Sequence, residues 1–235
     1  MIKAVVFDLD DTLISEKEYI RSGFKVVSKK IAIDNKLNED IVFNKALELF
    51  EISSKEVFNR ILDEFEIKYS KEYILELIKC YREHKPNIEF FEDVIPTINK
   101  LKKAGYKLGI ITDGYKETQL AKLEALNCRN LFDEIIITDE LGREFWKPHE
   151  KPYKMMAEKL DINLNEMIYI GDNVNKDFVT ANKLGVMTVY IDRKNAIYKD
   201  QTYEEGNKNM LAKFNIKKLR DIISNKEIII WNYQL

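Results

Sequence analysis

The sequence predicts an α/β protein: a doubly wound, mainly parallel sheet interrupted once by an inserted helical bundle. Three features of the chain carry this reading. Short apolar runs occur at residues 4–7, 108–111, 135–137, 167–170 and 186–191; helical patterns lie between the later ones; and a long helical stretch follows the first. Near-continuous apolar runs of this length suit strands buried on both faces, as parallel strands are when helices cover the sheet.

The elements follow in order. Between the second and third runs, Leu120, Leu123 and Leu126 recur at helical spacing before Asn127; between the third and fourth, Met155, Met156 and Leu160 precede Asp161. Strands alternating with helices build a doubly wound sheet. The interval 15–86 breaks the alternation. Ile41, Leu47, Leu49, Phe50, Val57, Phe58, Ile61, Leu62 and Phe65 are spaced for helix packing, and the interval holds one glycine, Gly23, and no proline before Pro86. About four helices are expected there. The chain thus divides into a sheet domain, 1–14 with 87–235, and a helical insert, 15–86. Ile95, Ile98 and Leu101 give the apolar face of a helix closed at Gly105. Beyond the last run, 192–209 reads as a polar loop with some helix, 215–223 as a capped terminal helix, and 228–231 as a late edge strand or contact surface.

Composition narrows the function classes. The 235 residues are 45% hydrophobic and 33% charged, with a formal charge of −2. That is a folded, soluble composition with no general positive field for nucleic acid or anionic lipid. No run approaches the ~18 apolar residues of a spanning helix, and the first residues lack a signal peptide's apolar stretch. Cys80 and Cys128 stand in no CxxC pattern, which argues against a disulfide scaffold or structural zinc. A cytoplasmic protein with neither nucleic-acid nor membrane partner is expected; oligomeric state is not legible.

Polar residues cluster where the apolar runs end. Asp8, Asp10 and Asp11 follow the first run. In a doubly wound sheet ligands bind outside the carboxyl ends of the strands. Three carboxylates there repel one another unless a cation intervenes, and an all-oxygen set suits Mg²⁺. Alone, the triplet is equally a polar turn with capping aspartates. The second run leads into Thr112, Asp113 and Gly114, a hydroxyl and backbone N–H groups ahead of a helix, which suit an anion such as phosphate. The fourth leads into Gly171 and Asp172, with Asp177 five residues further, and the loop after the third supplies Lys147.

Asp8-Leu9-Asp10-Asp11-Thr12, then Thr112, then Lys147-Pro148, then Gly171-Asp172 with Asp177 resemble the four ordered motifs of the haloacid dehalogenase superfamily, over residues 2–191. The helical insert is similar in position to that superfamily's first-type cap. The resemblance implies a Mg²⁺-dependent phosphatase working through an aspartyl-phosphate. Asp8 would be the nucleophile and a metal ligand. Asp10 would be the general acid and base, with its backbone carbonyl on the metal. Thr112, Asp113, Gly114 and Lys147 would hold the phosphoryl group, Asp172 would complete the metal's protein ligands, and Asp177 would support that loop. Asp11 is expected outside the metal's contacts.

Lys147 competes with Lys151, because Lys-Pro occurs twice in this loop. Tyr153, six residues after Lys147, and the spacing to Asp172 favour Lys147. The segment 142–146 is longer than usual for the family, and His149 stands where the family often has Asp or Asn. His149 reads as a cap or surface residue, and Trp146 as packing. Among the superfamily's chemistries, Asp10 speaks against a dehalogenase and Thr12 against a phosphomutase. A silent binding protein on the same fold would be free to lose the set that is present. A cap suggests a small phosphorylated metabolite, with sugar phosphates and nucleoside monophosphates both open.

Overall fold

In a computed structural model of the chain, residues 1–194, 196–197 and 210–228 are described. Among them six strands form one sheet: β1 (Ala4–Phe7), β2 (Lys107–Thr112), β3 (Glu134–Ile137), β4 (Met167–Gly171), β5 (Met187–Ile191) and β6 (Phe214–Ile216). The strand order is β3-β2-β1-β4-β5-β6 and every pairing is parallel. The α/β, doubly wound fold read from the apolar runs is the one observed.

Register sets up the site. Phe7 lies opposite Ile110 on one side and Ile170 on the other, so β1, β2 and β4 reach the carboxyl edge together. The order reverses at β1, with β2 and β3 on one flank and the later strands on the other. That reversal opens a crevice at the carboxyl edge, because the flanking connections leave in opposite directions.

Helices of the sheet unit include α5 (Val94–Lys103), α6 (Lys116–Ala125), α7 (Lys151–Lys159), α8 (Val179–Lys183) and α9 (Asp221–Ser224). (The first four helices belong to the insert.) Tyr153, Met156 and Leu160 pack with Ala4, Val6, Ile111 and Tyr169 in one buried cluster. Each fully buried large side chain of this kind stabilises by about 1.5–3 kcal/mol. The buried face of α5 is Val94, Thr97, Ile98 and Leu101. Ile98 and Leu101 lie on the predicted face, whereas Ile95 is 36% exposed. The helix closes as expected at Gly105: Tyr106 N–H donates to the Leu101 carbonyl and Gly105 N–H to that of Lys102, a Schellman ending.

The tail departs from the sequence reading. Instead of a helix over 215–223, Phe214–Ile216 forms β6 against β5, and only Asp221–Ser224 is helical. Phe214 is half-buried, Asn215 exposed and Ile216 buried, the period of an edge strand rather than a helix. Asp221 accepts the N–H groups of Lys217 and Lys218 and so starts the short helix. Residues 229–231 and 198–209 of the predicted tail features lie outside the described residues.

The chain divides into two compact units, Met1–Glu16 with Glu89–Leu235, and Lys17–Ile88. The second contains α1 (Glu16–Asn35) almost entirely, with α2 (Glu39–Ile52), α3 (Val57–Glu64) and α4 (Lys71–Glu83). Its core is aromatic: Phe24 meets Phe50 and Phe58 edge-on at 5.6 and 6.1 Å. Asn38 caps α2 and Ser70 caps α4 through backbone N–H groups of the first turn. Ile41, counted among the packing residues, is 59% exposed. No helix of the described residues is long and apolar enough to cross a membrane.

Candidate active site

The end of β1 spreads the three aspartates in different directions. Asp8 continues the strand, its N–H donating to the Ile170 carbonyl at 2.8 Å, and its side chain is buried. The chain then turns back, with the Leu9 carbonyl accepting from Leu13 and Ile14. Asp11 sits at φ +49 and accepts the N–H groups of Glu16 (2.9 Å) and Ile197 (2.7 Å). Both its oxygens therefore fasten the turn. Asp8 and Asp10 remain for chemistry.

Lys147 gathers the centre. Its Nζ donates to Asp8 Oδ1 at 2.5 Å, to Asp177 Oδ1 at 2.9 Å and to the Tyr169 hydroxyl at 2.9 Å, in full burial. An ammonium has three protons, and these acceptors take all of them. Burial disfavours the charged lysine, but Asp177 and Asp8 outweigh it and hold its pKa well above the ordinary value. The backbone fixes the same loop, since Asp113 Oδ1 accepts both Lys147 N–H and the Thr138 hydroxyl. Lys151 lies elsewhere: it opens α7 with its Nζ 3.6 Å from the centre of the Phe145 ring. Tyr153 donates to the Asp177 carbonyl at 2.9 Å, tying α7 to the loop after β4.

Asp8, Asp172 and Asp177 each offer an oxygen, and these lie within 4.8 Å of one another. Burial pushes Asp8 up to about 6 even beside Lys147. Burial, then the charges of Asp8 and Asp177, raises Asp172 well above the carboxylate range. Burial would also raise Asp177, but Lys147 and Lys176 hold it below. Asp177 accepts from Lys147 through Oδ1 and from Asn173 N–H through Oδ2. A Cβ on Gly171 would stand 2.5 Å from Asp177 Oδ2, so only glycine allows this approach. Lys147 hydrogen-bonds two of the three clustered carboxylates and Lys176 stands nearby, leaving more carboxylates than lysines, a set of hard oxygens that fits a divalent cation.

Asp10 has its own counter-ion. Lys122 donates to both its oxygens at 2.7 and 2.8 Å, and Gln119 Nε2 to Oδ2 at 3.0 Å. Burial alone would raise the Asp10 pKa, but Lys122 and Gln119 bring it below the usual value. Gln119 also donates to the Asp113 carbonyl. A Cβ on Gly114, at φ +132, would stand 2.4 Å from Gln119 Nε2, so this glycine keeps the path to Asp10 open. Thr112 Oγ1 is buried with no hydrogen-bond partner, a donor and acceptor awaiting a ligand.

The structure therefore brings together Asp8, Asp10, Thr112, Asp113, Gly114, Lys147, Asp172 and Asp177 at one sheet edge. Sequence reasoning missed Gln119, Lys122, Tyr169 and Lys176. Gln119 and Lys122 share a helix face at i, i+3, which was the available signal. Trp146 donates to Asp139 at 3.2 Å, and His149 accepts Lys151 N–H at the start of α7.

A family profile described as haloacid dehalogenase-like hydrolase matches residues 5–191. The chain belongs to that family. It is 31% identical over 231 residues to the glyceraldehyde 3-phosphate phosphatase of Methanocaldococcus jannaschii, covering 96% of this chain and 98% of that one. To the pyrophosphatase PpaX of Bacillus mycoides it is 32% identical over 195 residues, covering 81% and 83%. Among solved structures, a HAD phosphatase from Thermococcus onnurineus superposes with a TM-score of 0.60 at 27% identity, over 94% of this chain and 98% of that one.

Proposed function

We propose that this hydrolase is a Mg²⁺-dependent phosphatase of small phosphorylated metabolites, with Asp8 as nucleophile. The enzyme class is phosphoric monoester hydrolase, the class of the related phosphatases. The observation that carries the mechanism is the buried knot of Asp8, Asp172 and Asp177 around Lys147 at the end of the central strand. A carboxylate held there attacks phosphorus in line, the ester oxygen leaves, and an acyl phosphate forms on Asp8. Water then cleaves that acyl phosphate, so one slow hydrolysis becomes two faster steps.

Asp10 stands two residues beyond Asp8, just before the turn. In this reading it gives a proton to the leaving oxygen and then takes one from the attacking water, a role worth about 10²–10⁴-fold. Thr112 Oγ1 and the backbone of Asp113 and Gly114 bind phosphoryl oxygens. Lys147 offsets the charge of Asp8 and Asp177 as an anionic substrate approaches. Asp8, Asp172 and the Asp10 carbonyl would hold Mg²⁺, with Asp177 supporting the loop. The ion would supply charge stabilisation on the phosphoryl oxygens. The insert, as a first-type cap, would restrict substrates to small ones, and a cytoplasmic setting fits such metabolites.

The test is hydrolysis of a panel holding glyceraldehyde 3-phosphate, pyrophosphate, sugar phosphates and nucleoside monophosphates, with Mg²⁺ and with EDTA. Phosphate release that stops in EDTA and returns with Mg²⁺ is expected. Undiminished release in excess chelator would contradict the proposal, as would no release from any member.

A further inference from the structure

Strand order β2-β1-β4 sets the loop after β2 and the loop after β4 on opposite sides of the end of β1. Neighbouring strands lie about 4.8 Å apart, so these two loops begin about 10 Å from each other. Lys176, in the loop after β4, nevertheless brings Nζ to 3.8 Å from Asp113 Oδ2, in the loop after β2. Its side chain must therefore cross the end of β1, where Asp8 stands.

The ammonium is poorly used in that position. At 3.8 Å the approach to Asp113 is an ion pair beyond hydrogen-bond reach, and the Lys176 ammonium makes no hydrogen bond among the described residues. The side chain is 30% exposed, whereas that of Lys147 is fully buried. Asp113 faces it through Oδ2, while its Oδ1 accepts from Thr138 and Lys147. Lys147 already donates to Asp8, Asp177 and the Tyr169 hydroxyl. Of the two lysines beside Asp8, only Lys176 has donors to spare. On the same β2 side, the buried Thr112 hydroxyl is also without a partner.

We infer that Lys176 is a phosphoryl-binding residue: its ammonium leaves Asp113 and donates to a non-bridging oxygen of the group approaching Asp8. The two lysines then divide the work. Lys147 holds the carboxylates together and Lys176 meets the substrate. This rests on the phosphatase reading and names a ligand for the same site.

The experiment compares wild type with Lys176→Met and Lys176→Gln at saturating Mg²⁺. Inorganic phosphate serves as the probe, through its inhibition of 4-nitrophenyl phosphate hydrolysis and its binding by calorimetry. Loss of a charged hydrogen-bond donor should weaken phosphate by about tenfold or more in both measurements. Circular dichroism melts should match wild type, since the side chain is partly exposed and makes no structural hydrogen bond. Should Lys176→Met fail to fold, Lys176→Gln carries the same expectation. Phosphate affinity within about twofold of wild type in a folded variant would overturn the assignment. An active wild type with that result removes Lys176 alone, whereas a wild type that hydrolyses no phosphate ester removes the phosphatase reading and this inference together.

Discussion

Two lysines with carboxylate partners flank the end of β1, and they differ in how far their charge is balanced. Lys122 meets one carboxylate, Asp10, with both oxygens engaged and Gln119 alongside. Glu16 lies near that pair, and burial and then the Asp10 charge push its carboxyl up to about 7 while Lys122 pulls the other way. Lys147 meets Asp8 and Asp177, with Asp172 in the same cluster. Lys147 hydrogen-bonds two of these three carboxyls, Lys176 stands nearby, and burial still raises Asp8 and Asp172 above the usual carboxylate range. In the proposed mechanism the contrast puts the further cation beside Asp8, the proposed nucleophile, rather than beside Asp10, the proposed acid. It also separates two functions that the sequence placed side by side, in residues two apart.

The largest expected effect breaks the crowded side. Lys147→Ala removes the only lysine hydrogen-bonded to Asp8 among the described residues and leaves buried carboxylates facing one another. Its kcat/KM should fall by an amount equivalent to about 3–4 kcal/mol, the scale of losing a preorganised charged donor. Steady-state kinetics on a variant shown to be folded checks this. A Lys147→Ala enzyme within tenfold of wild type would remove Lys147 from the chemistry.

A smaller effect is expected on the balanced side. Lys122→Met should let Asp10 swing from its place without disturbing Asp8. The kcat/KM loss should reach about 10–100-fold for an alkyl phosphate, whose leaving oxygen needs a proton. For 2,4-dinitrophenyl phosphate, whose leaving group departs unaided, it should nearly vanish. Equal losses on both substrates would mean that Lys122 serves the fold rather than Asp10.

The contrast also predicts a pH effect on stability without metal. A carboxyl whose pKa is higher folded than unfolded favours the folded state at low pH, and that gain is lost as pH rises through the folded value. Asp8 goes from 3.8 to about 6, equivalent to at most about 3 kcal/mol, and Asp172 shifts the same way. Asp10 and Asp177 are lowered, so their contribution is already complete above the usual carboxylate pKa. In EDTA the melting temperature should therefore fall between pH 4 and pH 8, across the titrations of Asp8 and of Glu16, which burial and the Asp10 charge push up to about 7. Mg²⁺ should flatten that fall. Parallel melting curves with and without Mg²⁺ across this range would argue that no cation sits among these carboxyls.

The smallest effect belongs to Lys151, which rests on the Phe145 ring outside the cluster. Lys151→Ala should change kcat/KM by little more than measurement scatter and stability by about 0.5 kcal/mol or less. A crippled Lys151→Ala would move the lysine assignment by four residues.

Much of this site was legible because its residues stand where buried strands stop. Asp8, Thr112 and Asp172 each follow an apolar run, and a parallel sheet brings such positions to one edge. Tyr153, buried and bonded to the Asp177 backbone, shows why its spacing from Lys147 was informative. Lys122 was not legible for the opposite reason. On an amphipathic helix, a polar i, i+3 pair reads as a solvated face, and only the fold reveals that Gln119 and Lys122 are 2% exposed. Lys176 was hidden because its importance depends on strand order, which the runs alone do not specify. β6 was missed because three residues in a polar tail carry too little periodicity to separate strand from helix.

The central claim is that Asp8 carries the phosphoryl group between substrate and water. Rapid acid quench during turnover with Mg²⁺, followed by borohydride reduction and peptide mass spectrometry, reads this directly, because reduction converts an aspartyl-phosphate to homoserine. The account predicts homoserine at residue 8 in the turning-over enzyme and none in Asp8→Asn, which should also lose turnover. Homoserine at another aspartate, or full turnover by Asp8→Asn, would contradict it.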